Sequence, residues 1–235
     1  MHIIYRICDS IGKDRPEWFS KEACLLSCVK TFPTAAFYVL ADNVSNETLR
    51  MIGNKLHGRA VTQIPVYKRS NSRSFALALE YACDLVCNDG NVIYFVEDDY
   101  LHRRGAQEAI VDGILLGYDY VTCYDHPDKY DASGPNPFVE HGGEVSRVQC
   151  GQRCHWKNTN STTMTFATTQ DRLRRDLPAI QRYLGGDVPQ DFRMWRELIE
   201  DHGVRLGSSV PGYATHCEQR WLSRLWDWRE EARRV

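Results

Sequence analysis

Three consecutive acids, Glu97-Asp98-Asp99, follow directly on the apolar run 92–96. A continuous apolar run of that length is the pattern of a strand covered on both faces of a sheet. Three carboxylates at the end of such a strand repel one another, and a cation is the simplest way to offset the repulsion. Oxygen ligands favour Mg²⁺ or Mn²⁺ over zinc. Ligands of an open α/β sheet bind beyond the carboxyl ends of its strands. Asp9 and Ser10 after the first strand candidate, and Asp42 after the second, therefore join the acidic cluster as candidates. The plainer alternative is a solvated acidic turn, because a run of acids is usually a surface feature.

The elements that would carry these residues alternate in type. Strands are expected at His2–Cys8, Ala36–Ala41, Ala60–Val66 and Asn91–Val96. Helices are expected at Pro16–Thr31, Asn46–Leu56 and Ser72–Asn88, the last with Phe75, Leu79, Ala82 and Val86 on one side. Strands alternating with helices predict an α/β sandwich with a mostly parallel central sheet flanked by helices. The second half is less regular. Tyr120–Tyr124 and Thr162–Thr168 read as strands, and 129–144 reads as a long loop rich in Gly, Pro and Asp. Helices are expected at Asp171–Leu184, Asp191–Asp201 and Trp221–Arg233.

Bulk properties narrow the class. The chain has 235 residues, long for one domain and short for two, so a single domain over 1–235 is expected. Hydrophobic residues make up 43% and charged residues 26%, ordinary for a globular protein. A net charge of -2 does not suggest bulk binding to nucleic acid or an anionic membrane. Met1 leads straight into the first strand with no secretory pattern, and no apolar run approaches membrane-spanning length. Nine cysteines, an odd number, argue against a disulfide framework. Cys24/Cys28 and Cys83/Cys87 sit four apart on helices, where free cysteine is a small buried hydrophobe. A reducing cytoplasm is the expected compartment. Cys150, Cys154, His155 and His141 have the donor chemistry for zinc but no second matching pair, so a loop with incidental cysteines is the first reading.

Asp42 closing one strand, Asn71-Ser72-Arg73 opening a helix through Ser74-Phe75-Ala76-Leu77-Ala78, and the acids closing the next strand follow a familiar order. That order resembles the nucleotide-sugar half of GT-A glycosyltransferases, especially the inverting family 2-like type. Glu97 is a departure, standing where an Asp-x-Asp motif has its first aspartate. Two later landmarks extend the resemblance to about His216. Pro189-Gln190-Asp191-Phe192 places an acid at a helix N-terminus, where inverting enzymes of this type keep their general base. Thr215-His216-Cys217-Glu218 places a histidine where many have a further metal ligand. The resemblance implies residues 1–100 as the nucleotide-sugar half and 101–235 as the acceptor half. It implies donor contacts from Asp9, Asp42, Arg73, Glu97 and Asp98, a Mn²⁺ or Mg²⁺ site at Asp99 and His216, and Asp191 as base. Arg6 could add positive charge beside Arg73.

The implied reaction moves a hexosyl or pentosyl group from a nucleoside-diphosphate sugar to an acceptor hydroxyl, with inversion. Backbone N–H groups and the helix dipole should keep Asp191 ionised and somewhat weakened as a base. An N-cap role for Asp191 and a structural role for His216 read the same in sequence. The acceptor is left open between sugar, lipid, protein and modified nucleobase. Two other functions remain. A sugar nucleotidyltransferase would want a Gly-rich phosphate loop after the first strand, where only Gly12 stands. A non-catalytic nucleotide-sugar-binding module would keep the fold without the chemistry.

Overall fold

The computed structural model describes residues 1–10, 12, 14–58, 61–66, 68–85, 91–140 and 143–235. Ala60, Val86, Cys87, Asn88 and His141, named above, lie outside the described residues. The first half alternates as expected: β1 His2–Cys8, α1 Lys21–Thr31, β2 Ala36–Asp42, α2 Asn46–Lys55, β3 Val61–Val66, α3 Asn71–Asp84 and β4 Val92–Glu97. These four strands pair in parallel in the order β3-β2-β1-β4. All four carboxyl ends therefore share one edge.

The second half supplies β5 Tyr100–His102, α4 Ala106–Leu115, β6 Tyr120–Thr122, β7 Val139–Glu140, β8 Gly143–Glu144, β9 Val148–Cys150 and β10 His155–Asn158. It continues with β11 Phe166–Thr169, α5 Gln170–Gln181, α6 Asp191–Glu200, β12 Leu206–Val210, β13 Ala214–His216 and α7 Trp228–Arg233. The sheet extends past β4 as β11-β6-β12-β10-β9. β11 runs antiparallel to β4 and β6, β6 and β12 are parallel, and β10 is antiparallel to both neighbours. The α/β architecture with a mostly parallel central sheet flanked by helices is thus present. Two short ribbons, β5 with β13 and β7 with β8, stand apart from it.

Strand side chains alternate between faces, and the core divides accordingly. Ile3, Tyr5, Phe37 and Val39 pack with Leu25 and Cys28 of α1, Ile52 of α2 and Ile110 of α4. Ile4, Leu40, Ile93 and Phe95 pack with Phe75 and Leu79 of α3, Leu173 of α5 and Trp195 of α6.

Helix starts follow their caps rather than hydrophobic spacing. Ser20 accepts from the Ala23 amide, so α1 begins at Lys21 and not at Pro16. The expected helix Trp221–Arg233 is broken. A short 3₁₀ turn at Gln219–Trp221 precedes a non-helical stretch that turns at 224–225, with Leu225 at φ 76°, and α7 starts only after its cap, Asp227. The Trp228 indole donates to the Ser223 carbonyl at 2.6 Å and pins that break. Lys129 and Glu144, at the ends of the segment read as a loop, are tied into the fold. Lys129 is buried and donates to Asn160 and Ser161, and Glu144 accepts from the Thr159 hydroxyl and the Asn160 amide.

Cys150, Cys154 and His155 form the β9–β10 hairpin. The Asp112 carboxylate organises its turn, accepting from the amides of Gln152 and Arg153 and from the Trp156 indole. Among the described residues no group of three or more metal-ligating side chains gathers there or elsewhere. Trp156 is fully buried and has no face for a sugar. Its ring presses on α4 at Gly113, where an added Cβ would sit 2.8 Å from both Trp156 and Val121. Alanine in a helix interior normally gains about 0.5–1 kcal/mol over glycine, but overpacking costs about 1–3 kcal/mol. Gly113→Ala is therefore expected to destabilise, lowering the urea midpoint with an unchanged m-value.

Candidate active site

A cleft of about 950 Å³ opens at the carboxyl ends of β1, β2 and β4. It holds all three strand-end acids, and each faces a basic side chain of this chain. Glu97 pairs with Arg6 of β1 at 3.0 Å. Asp98 pairs with Lys21 of α1 at 2.8 Å and also accepts from the Cys8 amide at 2.9 Å. Asp99 Oδ2 pairs with Arg15 at 2.9 Å. Burial raises the Asp98 pKa, the neighbouring Asp99 charge adds to it, and Lys21 opposes both. Asp98 points at the β1 terminus and stitches two parallel strand ends together. The repulsion foreseen in the acidic run is thus offset at least partly by arginine and lysine.

At the β2 end, Asp42 is buried and accepts from the Lys68 and Arg69 amides at 2.8 and 3.3 Å. Those bonds hold the turn that carries Arg69 at φ 51° into the cleft. Asp9 also lines the cleft, but its oxygens accept from the Ser45 amide and the Thr48 hydroxyl, both at 2.6 Å. Burial nudges its pKa upward; the two bonds outweigh that and hold it below the usual value.

His216 reaches Asp99 because of strand register. β13 lies antiparallel on β5 with His216 opposite Tyr100, and the Cys217 amide donates to the Asp99 carbonyl at 2.7 Å. The imidazole stacks on Tyr100 with centroids 5.2 Å apart. His216 Nε2 stands 3.0 Å from Asp99 Oδ2. Cis ligands on an octahedral ion with bonds near 2.1 Å stand roughly 3 Å apart, and Mg²⁺ commonly takes one or two protein ligands plus substrate phosphates. The oxygen–nitrogen pair therefore fits an ion completed by a phosphate ligand, provided Arg15 leaves the shared oxygen.

Beside the cleft is a smaller pocket of about 290 Å³, lined by His126, Asp128, Lys129, Thr162, Asp191, Phe192 and Trp221 among others. Asp191 is the first residue of α6, whose cap is Gln190. Its only hydrogen bond among those described is from the adjacent Phe192 amide at 2.7 Å. Burial raises its pKa to about 6, the Phe192 amide opposes this, and the Glu97 charge adds to it. The expectation of a weakened base is therefore reversed: desolvation outweighs the helix terminus. Asp191 is not a capping residue. His126 is held neutral over a wider pH range, because burial lowers its pKa more than Asp128 raises it.

The structure thus gathers Asp9, Asp42, Glu97, Asp98 and Asp99 in one cleft, with His216 on Asp99 and Asp191 next door. Arg73 is not brought there. It lies on the exposed face of α3, and Arg6, Arg15 and Arg69 supply the positive charge instead. Arg15 and Lys21 were not foreseen; the charged stretch 13–15, just past the end of β1, was the available signal. With the nucleoside diphosphate that the sequence resemblance implies as ligand, Arg73→Ala is expected to leave affinity within about twofold, whereas Arg6→Met should weaken it by roughly 10–100-fold, the scale of a charge-assisted bond. Calorimetric titration with nucleoside diphosphates measures both.

No family model and no curated protein matches the sequence. Solved structures share the fold. S. aureus TarS is similar over 91% of this chain and 36% of its own, at 14% identity and TM-score 0.54. TarS 1–349 in complex with UDP-GlcNAc gives TM-score 0.56 at 12% identity, covering 91% of this chain and 57% of that one. The chain therefore spans little more than a third of full TarS. The galactosyltransferase LgtC, in complex with donor and acceptor sugar analogues, gives TM-score 0.52 at 11% identity, with 88% and 73% covered. A nucleoside-diphosphate-sugar pyrophosphorylase from Vibrio cholerae RC9 gives TM-score 0.54 at 14% identity, with 99% and 100% covered. The fold is that of the GT-A glycosyltransferases.

Proposed function

We propose that this GT-A-fold protein transfers a hexosyl or pentosyl group from a nucleoside-diphosphate sugar to an acceptor hydroxyl, with inversion at the anomeric carbon. The observation that carries the reading is Asp191: a carboxyl with its pKa raised to about 6, in a pocket adjoining the cleft of strand-end acids and arginines. A base poised near the operating pH is most effective in taking a proton. In this mechanism the donor lies along the large cleft. Its nucleoside rests near Asp9 and Asp42, and its diphosphate lies against Arg6 and Arg15. Asp98 and Lys21 keep the ends of β1 and β4 at fixed separation. The acceptor occupies the smaller pocket, and Asp191 takes its hydroxyl proton as the oxygen attacks the anomeric carbon opposite the leaving diphosphate.

Asp99 and His216 would hold Mn²⁺ or Mg²⁺, which supplies positive charge for the departing diphosphate. Among the described residues no helix is long and apolar enough to cross a membrane. Every described cysteine is a free thiol, which suits a cytoplasmic site of action.

A second reading is a sugar nucleotidyltransferase, favoured by the end-to-end likeness to the Vibrio cholerae pyrophosphorylase. The two part on the reaction. A thermal-shift screen of nucleotide sugars with Mn²⁺ identifies the donor by its stabilisation of the native state, and transfer is then followed by release of the nucleoside diphosphate. Pyrophosphate release from a nucleoside triphosphate and a sugar 1-phosphate would instead establish the second reading. No stabilisation by any nucleotide sugar would overturn the proposal.

A further inference from the structure

Two arginines lining the cleft, Arg6 and Arg15, each bury an Nε–H with no hydrogen-bond partner among the described residues. Buried donors on charged groups are costly to leave unmet, and both N–H groups suit an anionic ligand. Their remaining contacts differ. Arg6 is held by Glu97 and by both the carbonyl and the side chain of Asn71. Arg15 bridges the chain's extremes, donating to Asp99 Oδ2 at 2.9 Å and to the Cys217 carbonyl at 2.7 Å, with its guanidinium 4.6 Å from the Phe19 ring centroid. It stands in neither helix nor strand, between β1 and α1.

We propose that Arg15 is a resident counter-ion that occupies the metal-binding oxygen of Asp99 until a divalent cation arrives together with a nucleoside diphosphate. The inference rests on the metal site proposed above and adds that metal and nucleotide binding are coupled through Arg15. Asp99 Oδ2 is shared by Arg15 and His216. A guanidinium and a divalent cation on one carboxylate oxygen repel strongly. Metal alone must therefore drive Arg15 off Asp99, while the adjacent acids Glu97 and Asp98 already face Arg6 and Lys21. When a diphosphate is present, the guanidinium turns to the phosphate oxygens, its Nε–H gains an acceptor, and Asp99 is released to the metal. Coupling of this kind is reciprocal, so each ligand tightens the other.

The test is Mn²⁺ binding to the full chain, followed by electron paramagnetic resonance of free Mn²⁺, alone and with UDP, ADP or GDP. In the native protein Mn²⁺ should bind weakly alone and at least about tenfold more tightly with the best nucleotide, within the usual range of coupled sites. Arg15→Gln should bind Mn²⁺ alone about tenfold more tightly than the native protein, and its coupling should be smaller by about the same factor, the remainder coming from the phosphate's own contact with the metal. Arg15→Lys keeps the charge and should keep weak binding of Mn²⁺ alone. Circular dichroism reports folding of both variants, and should Arg15→Gln not fold, absence of coupling in the native protein or tight Mn²⁺ binding by Arg15→Lys alone overturns the inference. An Arg15→Gln protein that binds Mn²⁺ no better than native overturns this inference and leaves the metal site standing. Failure of native protein to bind Mn²⁺ even with every nucleotide overturns the metal site, and this inference with it.

Discussion

Asp191→Asn is expected to lower turnover by roughly 10²–10⁴-fold, the range a positioned general base contributes, while nucleotide-sugar affinity stays near native. Both kcat and kcat/KM should fall together, because the proton is taken only in the transition state. The native pH profile should rise about tenfold per pH unit below pH 6 and flatten above it, following ionisation of a carboxyl whose pKa burial has raised to about 6. Stability gives an independent sign. A carboxyl whose folded pKa exceeds its unfolded one favours the native state at low pH and loses that contribution as pH rises through 6. Asparagine carries no such penalty, so the variant should melt at or above the native temperature at pH 7. A fully active variant would remove Asp191 from the reaction, and a product of retained configuration would overturn inversion.

The second large effect is expected at Asp99. Asp99→Asn removes the charge that Arg15 and His216 share and the oxygen donor proposed for Mn²⁺. Loss of an outer-shell partner typically costs 10–100-fold in metal affinity or activity, so loss of the ligand itself should exceed about 10²-fold in metal-dependent donor turnover. Asparagine keeps an acceptor for Arg15, so the fold should survive with a modest drop in melting temperature; circular dichroism separates this from loss of activity. The assignment fails if the variant retains full activity with Mn²⁺ chelated.

Much of the cleft could be read from sequence because β1, β2 and β4 are mostly apolar and an acid closes or directly follows each of them. A strand end needs no tertiary knowledge to locate. Arg15 and Lys21 were missed for the opposite reason: Arg15 stands in neither helix nor strand, Lys21 only opens α1, and their partners are Asp99 and Asp98, far along the chain. Arg73 was misplaced because a helix start near a strand end is right to within a residue or two, yet one step around a helix turns a side chain from cleft to solvent. Only Ser70, Asn71 and Ser74 at that helix start line the cleft. The raised pKa of Asp191 was illegible because sequence shows the helix terminus and not the pocket that desolvates it. Strands β5 and β13, three residues each, are too short to carry a pattern.

The β5–β13 ribbon bears on how the protein comes off the ribosome. Asp99 meets His216 across 117 positions, and Arg15 meets the Cys217 carbonyl across 202. Chains emerge from their N-terminus at about 5–20 residues per second, so the parallel half β3-β2-β1-β4 is complete well before β13 exists. Pairings of such long sequence separation form late, since loop closure must precede them. A nascent chain would therefore display a cleft in which Glu97 and Asp98 are already paired with Arg6 and Lys21, before β13 has brought His216 to Asp99. On the function proposed, competence to hold a cation at Asp99 would switch on only once 214–217 had been synthesised.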